Sequence, residues 1–117
     1  MNATELRDVL RADLKTALRA RDRTSMSALR SALSAIDNAE SVPTDARAGA
    51  IEDASVGVGT TEATRRELSA ADLRGILQQE VDERETAATE CDRQAPERAE
   101  QLRAEAAVVA AYASNVV

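Results

Sequence analysis

Four cations recur at a four-residue step near the start of the chain: Arg7, Arg11, Lys15 and Arg19. Residues four apart are neighbours on a helix surface, so this row forms a basic ridge that suits phosphate groups or an acidic partner. Arg23 and Arg30 carry the same chemistry into the following segment. The plainer alternative is a solvated flank, in which the Arg stems cover the edge of the core and the charges pair with Glu5, Asp8 and Asp13. Both readings predict a helix; they differ in whether the cations are left without acids.

Other reactive residue types are sparse. Cys91 is the only cysteine and the chain has no histidine, which removes the commonest general base and the sulfur-rich zinc sites. Glu90 and Asp92 flank Cys91, whereas a reactive thiolate needs a basic setting, so the thiol reads as a small inward-facing hydrophobe. No catalytic residue is assigned. Glu80, Asp82, Glu83 and Glu85 crowd one segment, and Glu80 and Glu83 lie one turn apart. An oxygen-only cation site needs about six ligands held by a loop. The expectation is a solvated acidic face with Arg84 interspersed, and neither metal nor cofactor is expected. Val56-Gly57-Val58-Gly59-Thr60-Thr61, followed by Arg65 and Arg66, offers backbone amides and guanidinium groups to a phosphate. It lacks the GxxxxGK[ST] pattern, and a linker that tucks a few valines onto the bundle is the simpler expectation.

The charge distribution bounds the partners. The net charge is −6, which argues against a general nucleic-acid coat. Residues 1 to 39 nevertheless carry seven basic side chains against five acidic ones, a net of +2, and leave −8 for the remainder. Any anion-binding face therefore belongs to the N-terminal end. The 117 residues suit a single domain spanning 1–117. The start is charged rather than apolar, and no run approaches the roughly 20 apolar residues of a membrane span. No membrane contact is expected, and the location expected by default is cytoplasmic.

Four periodic segments must position these groups. A first helix is predicted from about Thr4 to Ala20, capped by Thr4 or Asn2, with Leu6, Val9, Leu10, Leu14, Ala17 and Leu18 on its apolar side. The chain breaks at Arg21-Asp22-Arg23. A second helix starts near Asp22 or Thr24 and runs to about Glu40, with Met26, Leu29, Leu33 and Ile36 as its seam; so short a break makes an antiparallel hairpin. Residues 41 to 68 hold three of the four glycines and one of the two prolines, and are expected as a long Gly/Val-containing loop. Ser69-Ala-Ala-Asp72 opens a third helix as a variant capping box, continuing to about Arg93 with Leu73, Leu77, Val81, Ala88 and Cys91 inward. Pro96 suits the first turn of a fourth, from about Ala95 to Ala113, with Leu102, Ala106, Val109 and Ala110 inward. The nearly uncharged run Val108 to Val117 is a candidate surface for self-association, and Tyr112 within it either anchors a partner or closes the core. The fold class is all-α: a small bundle of about four helices, arranged as two helical hairpins.

Three blocks carry a family resemblance: Asp13-Leu-Lys-Thr-Ala-Leu-Arg-Ala-Arg-Asp22, Leu29-Arg-Ser-Ala-Leu-Ser-Ala-Ile-Asp-Asn-Ala-Glu40, and Leu68 through Arg84. In this order the chain resembles the YqeY-like (GatB/YqeY) family, related to the helical C-terminal region of the aspartyl/glutamyl-tRNA amidotransferase B subunit. In that family the terminal Tyr is followed by Leu-Pro and a further tail domain, whereas here Ala113-Ser-Asn-Val-Val117 stands after Tyr112. The family label is carbon-nitrogen ligase with glutamine as amide donor. That chemistry needs a glutaminase nucleophile, an ATP and metal site and an ammonia channel, none of which the residues display. The resemblance thus implies an accessory or stand-alone helical module rather than a catalyst. Its partners would be tRNA or an amidotransferase or translation protein, met through Arg7, Arg11, Lys15, Arg19, Arg23 and Arg30. The alternative is a structural helical protein that pairs with its own copy through the C-terminal helix.

Overall fold

A computed structural model describes residues 1–41 and 66–117. Its elements are α1 (Ala3–Ala20), α2 (Arg23–Ser41), α3 (Ala70–Cys91) and α4 (Pro96–Asn115), with no strand among the described residues. The long segment expected at 41 to 68 lies, apart from its ends, outside the described residues; Ser41 belongs to α2.

Local chemistry accounts for each helix end. Asn2 caps α1: its Oδ1 accepts the Glu5 amide at 2.8 Å, and its Nδ2 donates to the Glu5 carboxylate at 3.0 Å. At the other end Arg21 turns left-handed, with φ 56°, and its amide returns to the carbonyls of Ala17 and Leu18. Asp22 then starts α2. Its carboxylate accepts the Ser25 amide at 3.1 Å and the Ser25 hydroxyl at 2.7 Å, while its carbonyl accepts the Met26 amide. The predicted capping box forms in full, with Ser69 and Asp72 each accepting the other's amide at 3.0 Å. Pro96 occupies the first turn of α4, where a missing N–H costs nothing.

The helices alternate in direction, and α2 packs on all three others. Arg7 meets Asp37 across the α1 and α2 pair, and Ser31 donates to Glu80 at 2.7 Å across α2 and α3. Arg84 meets Glu105 across α3 and α4. The core between them holds Leu6, Leu10, Leu29, Ile36, Leu73, Leu77, Val109 and Val116. Two members of the predicted α1 stripe are not in it: Val9 is 39 % exposed and Leu18 43 %. They lie about 180° apart around the helix. Because α1 packs chiefly on α2 alone, it buries only the narrow strip between them.

The α3 and α4 pair outreaches α2. Thr24, in the first turn of α2, donates to Gln101 at 3.3 Å, and from that level outward a separate small cluster of Ala88, Ala99 and Leu102 holds α3 and α4 together as an arm. Cys91 and Ala87 are only partly covered there, so the thiol faces its own small cluster rather than the main core.

Candidate functional site

The predicted ridge divides in the folded chain. Arg7 is committed to structure: its side chain is 13 % exposed, its Nε donates to Asp37 Oδ1 at 3.2 Å, and its guanidinium also pairs with Glu40. Its charge is thereby neutralised where the start of α1 meets the end of α2. Arg11, Lys15, Arg19, Arg23 and Arg30 are exposed and have no ion pair among the described residues.

Two of the three acids expected to quench the row are otherwise placed. Glu5 serves the α1 cap, and Asp13 accepts the Tyr112 hydroxyl at 2.6 Å. Asp8 has no ion pair among the described residues. Each four-residue step turns the row by about 40°. Arg7 thus sits at the seam with α2, while Lys15 and Arg19 lie on the outer side of α1. On α2, Arg23 and Arg30 fall two turns apart on the strip that Ser27 and Ser34 leave open to solvent.

One shallow groove of about 380 Å³ touches the row, lined by Arg7, Arg11, Asp37, Asn38 and Ser41. It lies at the carbonyl end of α2 and contains Asp37, and both features repel an anion. The cations left exposed without an ion pair lie for the most part further along the hairpin than this groove.

A polar group inside the bundle escaped the sequence reading. Glu105 is 5 % exposed and accepts Arg84 Nε at 3.2 Å and Gln101 at 3.0 Å. Arg84 also donates to Glu80 at 3.1 Å, and Gln101 accepts from Thr24. Glu80 and Arg84 were expected on a solvated acidic face; with side chains 14 % and 12 % exposed they instead join α2, α3 and α4. The signal was available, because Glu105 lies between Leu102 and Ala106 on the inward stripe of α4 and Arg84 falls in step with Leu77 and Val81. Every carboxylate in the group has a partner, so it reads as a structural lock.

Little else has catalytic shape. Arg103 grips Asp92 through two bonds of 2.7 Å on the arm, and this hydrogen bonding holds the Asp92 carboxyl below its usual range. Among the described residues no group of three or more Cys, Asp or Glu side chains is placed to hold a metal. No helix among them is long and apolar enough to cross a membrane. In comparisons with protein-family models, curated proteins and solved structures, nothing matches this chain. Its functional reading therefore rests on the exposed cations of α1 and α2.

Proposed function

We propose that the chain is a non-catalytic helical binding module of the GatB/YqeY kind, which serves tRNA-dependent amidation or another translation step by presenting the cations of α1 and α2 to tRNA. The observation that carries this reading is the set of five exposed cations, Arg11, Lys15, Arg19, Arg23 and Arg30, without an acidic partner among the described residues. In a chain of net charge −6, five cations left without an ion pair on one hairpin need a reason. The three sequence blocks and the four-helix architecture add support for the family.

Equilibrium binding of bulk tRNA at low and physiological salt tests the proposal. Saturable binding is expected, weakening on the order of 10³-fold between dilute and physiological salt if all five cations meet phosphates. Reversing Arg11 and Lys15 to Glu should weaken binding and flatten its salt dependence. Absence of binding by the unaltered chain at low salt would end this reading.

A further inference from the structure

We infer that the step where the turn between α1 and α2 stops short of the α3 and α4 arm is a polyphosphate-binding corner, built by Arg21, Arg23 and Arg98. The inference rests on the proposed polyanion-binding role and locates its centre, adding two residues that the basic row does not contain.

The register of the bundle brings these arginines to one level. α2 and α4 run in the same direction, and Thr24 bonds to Gln101. Equal rise per residue then sets Arg21 and Arg23 level with the first turns of α4, where Arg98 stands one turn before Gln101 and Leu102. Arg98 lies on the side of α4 that α2 covers further along. It is exposed because α2 has not yet begun at that level. Arg21 is the only residue other than glycine with a positive φ among the described residues, in a position where Gly or Asn is the usual occupant.

The nearby acids leave this corner positive. Both Asp22 oxygens are held by Ser25, Glu80 and Glu105 are held by Arg84, and Asp92 is gripped by Arg103. Glu97 is the remaining acid on the first turn of α4; Glu100, also exposed, is two residues from Arg98 and so falls on the opposite side of the helix. Arg21, Arg23 and Arg98 have no ion pair among the described residues, so three guanidinium groups stand against Asp22 and Glu97. Guanidinium forks take two phosphate oxygens each, and an open step flanked by three of them suits a chain of phosphates rather than one enclosed anion.

Two variants separate this corner from the rest of the hairpin. Arg21→Gly with Arg98→Gln removes two corner charges, and the glycine suits the left-handed backbone, so the fold should keep or raise its melting temperature. Lys15→Gln with Arg30→Gln removes two charges elsewhere. Each is titrated with bulk tRNA and with inorganic polyphosphate across a salt series. The corner variant is expected to bind both probes at least tenfold more weakly, on the general scale of lost charge contacts, with a salt slope lower by about 2. If tRNA binds the corner variant as it binds the unaltered chain, or if only the Lys15 and Arg30 variant loses affinity, the corner is refuted and the binding module stands. If the unaltered chain binds polyphosphate but not tRNA, and the corner variant loses polyphosphate, the corner stands and the tRNA reading falls. Binding of neither probe by the unaltered chain overturns both.

Discussion

Tyr112 is the only aromatic residue of the chain, and it joins α4 to α1 through the bond from its hydroxyl to Asp13. Partial burial, then the hydrogen bond to a carboxylate, then that carboxylate's charge all push the phenol's pKa up. The folded chain consequently holds this proton more tightly than the unfolded chain. The stability it contributes is complete below the ordinary tyrosine value of about 10 and is lost as pH rises above it. With one Tyr and no Trp, ultraviolet absorbance of the phenolate reports this residue alone. Its midpoint is expected well above about 10 in the native protein and at the ordinary value in urea. An ordinary native midpoint would show that the hydroxyl is solvated and unpaired. Arg21 is the second informative single residue. Its left-handed backbone disfavours any side chain by roughly 1–2 kcal/mol, partly offset by the greater unfolded freedom of glycine, so Arg21→Gly should raise stability by up to about 1 kcal/mol in thermal melts. A lower melting temperature would mean that the Arg21 side chain itself holds the turn.

Helix boundaries follow from side chains within four residues of the end, and that is why they were legible in the sequence. Asn2 was one of two candidate caps, Ser69 with Asp72 formed the box, and Pro96 opened α4. Removing the box hydroxyl by Ser69→Ala should cost about 1 kcal/mol in a denaturant titration, and an unchanged midpoint would show that Asp72 alone suffices to hold the end of α3. What joins one helix to another was less visible. Glu105 and Arg84 stand on the inward stripes of their helices, but neither helix read alone shows that they meet each other, nor that Glu80 is drawn in with them beside Ser31 of α2. Truncation of Arg84 leaves Glu105 enclosed without its cation, and Arg84→Ala is expected to cost about 3 kcal/mol, read as a lower urea midpoint. A change below the error of the titration would show that water reaches the group and replaces the guanidinium.

At the scale of the whole molecule, the sequence period identified four helices and their inward faces, but not how far one hairpin extends past the other. Val9 and Leu18 were assigned to the core because periodicity predicts an apolar side without telling how many neighbours will cover it; α1 has chiefly α2, and both residues remain exposed. Arg7 looked equivalent to Arg11 in the row, yet the register of α1 on α2 places it against Asp37 and Glu40. Arg98 drew no notice for the converse reason: its exposure depends on where α2 begins. The same offset divides the bundle energetically. The main core buries Leu, Ile and Val from all four helices, whereas the arm from Thr24 and Gln101 outward is held by Ala88, Ala99 and Leu102, whose smaller apolar area contributes far less. Hydrogen exchange is therefore expected to be fastest, within α3 and α4, over roughly the last two turns of α3 and the first turn of α4, through local opening that leaves Leu73, Leu77 and Val109 protected. Bound polyphosphate should slow exchange in the first turn of α4 and at the α1–α2 turn together if the corner holds the ligand. Uniform protection along α3 and α4 in the free protein would show instead that the arm opens only when the whole bundle unfolds.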